Sequence, residues 1–225
     1  MSSTPLAGSD LAAPHRLILV RHGQTPHTAA MLISGAGFQP EPELDPSGQA
    51  QARAAGRRLA EFDVTIDEVF ASPLLRAQQT ASIIAGGLGI RQVVTAGPWS
   101  EAHFGDWEGL SVAEVVDRFP GSWETMIADP ANHPPGGESL TEVRTRVVAA
   151  WRSVARPGHT TLVVTHLTPI RIVVAEALAT PHEAFPRVMA GPGSITVIDR
   201  WADGGVAVMT LGERPQVDLD QLRHG

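Results

Sequence analysis

Apolar positions along the chain fall into two kinds of run. Leu17-Ile18-Leu19-Val20 and Leu162-Val163-Val164 are short, uninterrupted and rich in branched side chains, the pattern of strands covered on both faces of a parallel sheet. Longer stretches carry helix signals. Asp45-Pro46 sets an N-cap residue before a proline at the first helical position, predicting a helix to about residue 62. Ser72-Pro73 repeats the pair and predicts a helix over 73–85 closed by Gly86-Gly87. Ser111 with Glu114 and Ser139 with Glu142 have capping-box spacing, and a third helix signal covers 169–179. After Ser139, the positions Leu140, Val143, Val147, Trp151 and Val154 form a stripe that should face the sheet. Further strands are expected at 67–71, 92–95, 194–199 and 206–210, the last two around the turn 202–205. Strands alternating with helices predict an α/β sandwich.

Composition narrows the class. The 225 residues include 43% hydrophobic positions and carry a formal charge of -7, which suits one globular domain over 15–225. All 17 basic residues are arginine and they are not clustered, so nucleic acid is not an expected partner. Without cysteine, disulfides, thiolate nucleophiles and thiolate metal sites are excluded. Residues 1–14 lack the basic start and apolar core of a signal peptide and read as a flexible tail. No apolar run approaches a membrane span, and a cytoplasmic location is expected. The nine histidines are scattered without ligand spacing, so neither metal nor other cofactor is expected.

The candidate chemistry gathers at strand ends. The first strand delivers Arg21-His22-Gly23 and a second delivers His166, and ligands of open α/β sheets bind at that edge. Gly23 removes a side chain where the backbone turns sharply or a ligand comes close. Between them lie Ser72-Pro73-Leu74-Leu75-Arg76-Ala77-Gln78-Gln79-Thr80-Ala81 and Glu101, the latter within a Glu-x-x-x-Gly-x-Trp-Glu-Gly pattern ending at Gly109. These four motifs, in this order over roughly residues 15–209, resemble the histidine phosphatase superfamily. The resemblance implies a phosphoglycerate-mutase-like fold: a three-layer sandwich with a mostly parallel central sheet and helices on both faces.

That resemblance also implies roles. Arg21 and Arg76 hold a phosphoryl group, for which the planar guanidinium fork is suited. His22 attacks phosphorus and becomes a phosphohistidine, His166 stabilises transition-state charge, and Glu101 is the proton donor, with Glu108 read as structural. Gln24, Thr25, Ser34 and Gly35 offer further phosphate contacts. Two departures stand out: Thr28 replaces an asparagine common in the first motif, and Leu167-Thr168 replaces a glycine pair after the second histidine, narrowing the space beside the phosphate or adding a hydroxyl. The activity implied is metal-independent hydrolysis of small phosphorylated metabolites, with no membrane partner and a homodimer allowed. The alternatives are a phosphoglycerate mutase and an inactive phosphate-binding member of the fold. Mutases carry adjacent arginines after the acid, whereas this chain has only Arg118 between Glu101 and Glu138. Residues 98–137, with Trp99, Phe104, Trp107, Phe119 and Trp123, read as an irregular segment covering the substrate, a pocket wall suited to an apolar or neutral leaving group.

Overall fold

A computed structural model describes residues 13–217; most of the expected N-terminal tail lies outside them. Six strands, β1 (His15–Arg21), β2 (Glu68–Ala71), β3 (Val94–Thr95), β4 (Thr160–Thr165), β5 (Ile195–Arg200) and β6 (Val206–Glu213), form one sheet in the order β3-β2-β4-β1-β5-β6. The first four in that order run parallel, and β5 and β6 are antiparallel additions at one side.

The uninterrupted apolar runs are explained by burial on both faces. Leu17 and Leu19 of β1 enter one core and Ile18 and Val20 the other, as the two-residue period of a strand requires. Helices α6 (Leu140–Val154) and α7 (Leu167–Leu178) cover the first face through Val143, Val147, Trp151, Ile170 and Val173. Helices α2 (Pro46–Ala60) and α3 (Leu75–Leu88) cover the second through Ala55, Leu59, Ala77, Ala81 and Ile84. The result is the three-layer sandwich. The α6 stripe points inward at every position named from the sequence.

Several boundaries differ from the sequence reading. Helix α3 starts at Leu75 with Leu74 as its N-cap residue, not at Ser72. The Ser72 hydroxyl is instead drawn towards His166, with Pro73 in the turn between. That helix runs through Gly86-Gly87 to Leu88 and ends on Gly89, because two consecutive glycines weaken a helix without breaking its hydrogen-bond ladder. Helix α7 starts at Leu167 and takes in Pro169 as its third residue, where a missing N–H costs nothing. Residues 26–42 contain a short helix, α1 (Pro26–Ala29), capped by Thr25.

The aromatic segment 98–137 also differs. Beyond the expected short helix α4 (Val112–Arg118) it forms α5 (Ser122–Ala128). Trp107, Val115 and Met126 make a small core of their own with Trp123 against Trp107, while Trp99 is buried in the main core. Trp99 and Trp107 are therefore packing residues and do not wall an open pocket. Among the described residues no helix is long and apolar enough to cross a membrane.

Candidate active site

Three adjacent strand ends build the site. The register pairs Arg21 with Thr165 and Ala71 with Val164, so the next residues, His22, His166 and Ser72, leave the sheet side by side. The His22 N–H donates to Thr165 O at 2.9 Å and the Ser72 N–H to Val164 O at 3.0 Å. At Gly23 the chain turns against the first turn of α2, where a Cβ would stand 2.3 Å from Gly48 O. Only glycine permits that approach.

His22 Nδ1 lies 2.7 Å from Gly23 O. A carbonyl can only accept, so Nδ1 carries the proton and Nε2 keeps its lone pair. Burial, followed by the fields of Arg76 and Arg21, holds this imidazole well below the ordinary histidine range against the opposing pull of the Gly23 carbonyl. His22 is thus neutral at physiological pH. Its ring centroid is 5.0 Å from that of His166. Burial and then Arg76, His22 and Arg21 depress His166 in the same way. Its Nε2 is 2.7 Å from Ser72 Oγ, and its buried Nδ1 has no partner among the described residues.

The two arginines are anchored at one side and open at the other. Arg21 donates through Nη1 to Ala190 O at 2.7 Å, and its buried Nε is unpartnered among the described residues. Burial lowers Arg21 to about 10, with Glu101 acting in the opposite sense. Arg76, the second residue of α3, donates through Nη2 to Ser34 O at 2.9 Å and Gly35 O at 3.4 Å. Its Nε and Nη1 are buried and unpartnered. Buried cations with unused donors form a cradle for a dense anion.

Glu101 is buried in the same region, within the field of both arginines. Its Oε1 accepts from Ala102 N at 2.8 Å, and its Oε2 lies 3.4 Å from Thr168 N in the first turn of α7. Glu108, its competitor in the sequence, instead accepts from the Gly37 and Phe104 amides at 3.1 and 2.9 Å. Gly35 fits beneath it, since a Cβ there would meet Glu108 Oε1 at 2.1 Å.

The other expected contacts are redistributed. The Thr28 hydroxyl donates to Thr25 O at 3.0 Å, and the two threonines form a capping box on α1. Gln24 Nε2 donates to Asp45 Oδ2 at 3.0 Å and Ser34 Oγ pairs with His27 at 3.0 Å. The carbonyls of Ser34 and Gly35 accept from Arg76 Nη2. Leu167 packs against the core, and Thr168 supplies its amide to Glu101.

Sequence reasoning missed Ser72 and Thr80 as site residues. Thr80 Oγ1 donates to Arg76 O at 2.7 Å and accepts from Gly23 N at 3.0 Å, tying the arginine helix to the histidine turn. Both lie in the quoted motif, and Thr80 stands four residues after Arg76, on the same helix face. The Ala190 carbonyl has no sequence signal. Among the described residues no group of three or more His, Cys, Asp or Glu side chains is placed to hold a metal ion.

Residues 17–213 match the family model of the histidine phosphatase superfamily (branch 1). A bifunctional protein of Mycobacterium tuberculosis is 36% identical over 202 residues, 89% of this chain and 54% of that one. The chain therefore spans about half the length of that curated relative. A 2,3-bisphosphoglycerate-dependent phosphoglycerate mutase of Methylobacterium radiotolerans is 30% identical over 205 residues, covering 87% and 94%. The solved structure of a mycobacterial glucosyl-3-phosphoglycerate phosphatase superposes with a TM-score of 0.74 at 27% identity, covering 88% and 98%. The motifs, the sandwich and these likenesses agree, and the chain belongs to the histidine phosphatase superfamily.

Proposed function

We propose that this chain is a metal-independent phosphomonoesterase of small phosphorylated metabolites, working through a phosphohistidine on His22. The observation that carries this reading is the neutral, buried His22, its Nε2 lone pair free, beside Arg21, Arg76 and His166 with their unused donors. The guanidinium donors and His166 bind the phosphoryl oxygens. His22 Nε2 attacks phosphorus, the bond to the leaving oxygen breaks, and Glu101 gives that oxygen its proton. Glu101, now a carboxylate, takes a proton from water as the water oxygen attacks phosphorus and releases His22. A related phosphatase structure holds VO3, a phosphate mimic, which is in keeping with this site chemistry.

Hydrolysis is favoured over mutase chemistry by the placement of Arg118. It is exposed on α4 and lies 3.5 Å from Glu114 on the same helix, so it does not provide a second anion site. The test is phosphate release from a panel of phosphomonoesters in excess EDTA. Retained turnover is expected, whereas loss in EDTA with recovery on a divalent ion would exclude the reading.

A further inference from the structure

We propose that Arg146 is the positioning residue for the acid, holding the segment that carries Glu101 through its backbone carbonyls. The inference rests on the reading of Glu101 as proton donor. Residues 97–103 contain only one short turn of 3-10 helix, so most of their carbonyls lack partners from regular structure. A single side chain from α6 supplies three of them. Arg146 Nη1 donates to Pro98 O at 2.9 Å and Ser100 O at 2.8 Å, and Nη2 donates to Glu101 O at 3.0 Å. The remaining donors go to Glu138, with Nη2 3.0 Å from Oε2 and Nε 3.1 Å from Oε1. Those five contacts use all five N–H groups of a guanidinium.

Glu138 closes the far end of the segment. Its Oε2 also accepts from His103 N at 2.9 Å, and its own amide donates to His103 O at 2.7 Å. Burial alone would raise the Glu138 carboxyl, but Arg146 and the His103 amide hold it below its ordinary range. Of the other carbonyls, Trp99 O accepts at 2.6 Å from Oγ1 of Thr165, the last residue of β4, Gly97 O from Ser100 N at 2.9 Å and Ala102 O from Ala36 N at 3.0 Å. The main chain of Glu101 is thus gripped on both sides and referenced to β4, the strand that leads directly into His166. Arg146 makes no hydrogen bond to the carboxylate of Glu101 or to the two histidines; its charge also lowers His166, and Arg146→Lys keeps that charge while removing the grip on the acid's segment.

A lysine cannot reproduce this grip, because its three donors radiate from one atom and do not span three carbonyls and a carboxylate. Displacing a reacting group by about 1 Å can cost on the order of 10²-fold. Such a loss should appear only where the acid is needed. The experiment compares Arg146→Lys and Glu138→Gln with the parent and with Glu101→Gln, on an alkyl phosphate and on p-nitrophenyl phosphate. For Arg146→Lys the expected result is a fall of about tenfold or more in kcat for the alkyl ester, little change in KM, and only a small loss on the aryl ester. Glu138→Gln should shift the same ratio in the same direction. Added methylguanidinium should restore alkyl-ester turnover to Arg146→Ala.

Equal losses on both substrates, or an unchanged alkyl-ester kcat, overturn the inference. If Arg146→Lys does not fold, Glu138→Gln decides by the same ratio. If Glu101→Gln shows the leaving-group dependence and neither Arg146→Lys nor Glu138→Gln does, only the positioning role falls. If Glu101→Gln shows none, the reading of the acid fails and the inference falls with it.

Discussion

Ser72 Oγ and His166 Nε2 stand 2.7 Å apart across a sequence separation of 94. The hydroxyl also accepts from Leu74 N at 3.3 Å, and which atom of the Ser72–His166 pair donates follows the ring tautomer. With the hydroxyl donating, the His166 proton sits on Nδ1, the buried nitrogen without a partner among the described residues. That tautomer is the one in which Nδ1–H would face the phosphoryl group of the proposed mechanism. Ser72→Ala should lower kcat by roughly fivefold, the worth of one hydrogen bond of about 1 kcal/mol, and should mix the tautomers of His166 in its nitrogen NMR shifts. Parent-like turnover with an unmixed Nδ1–H signal would remove Ser72 from the mechanism.

Glu101→Gln probes the proton donor. An alkoxide leaving group needs its proton in the transition state, and an activated aryl oxide does not, so the loss should be on the order of 10²-fold for sugar phosphates and far smaller for p-nitrophenyl phosphate. Parallel losses on the two substrates would argue that the side chain only holds the Ala102 and Thr168 amides.

The layered fold was readable because its causes are local. Uninterrupted branched runs mark doubly covered strands, and Asp45, Ser111 and Ser139 each cap a helix as their spacing implies. Ser72 failed as a cap because a partner 94 positions away competes for its hydroxyl, and no local pattern encodes that competition. The same holds for Arg146, which reads in sequence as an ordinary helix arginine. Arg21, His22, Arg76, Glu101 and His166 could be named because short motifs fix them at element ends. The carbonyls of Ser34, Gly35 and Ala190 that orient the arginines are backbone groups, and side-chain identity says nothing about them.

Burial of neutral imidazoles makes stability depend on pH. His22 and His166 lie well below their ordinary range, and burial first, then Arg156 and Arg200, hold His15 to about 4. Below about pH 6.5 the unfolded chain takes up protons that the folded chain refuses. Stability is therefore complete above that pH and is lost as pH falls towards the folded values. Urea midpoints should drop between pH 7 and pH 5. His15 lies at the opposite end of β1 from the site, so His15→Gln should flatten this dependence and spare turnover. A midpoint at pH 5 equal to that at pH 7 would contradict the buried, neutral state of these rings.

The nucleophile is tested by trapping. Its carbonyl-bonded Nδ1 leaves His22 Nε2 free for the attack proposed above, so acid quench soon after mixing with labelled substrate should leave phosphate on the protein. That label should be acid-labile and base-stable, as a phosphoramidate is and a serine ester is not. His22→Ala should abolish both label and turnover, because the other imidazole within reach, His166, is held against Ser72. His166→Ala should still label, slowly, since it removes charge stabilisation of about 3 kcal/mol, on the order of 10²-fold in rate, and leaves the attacking atom in place. Both arms are needed, because loss of turnover without loss of label would point to a blocked second step. A His22→Ala protein that turns over at the parent rate would exclude the phosphohistidine, whatever other residues prove essential.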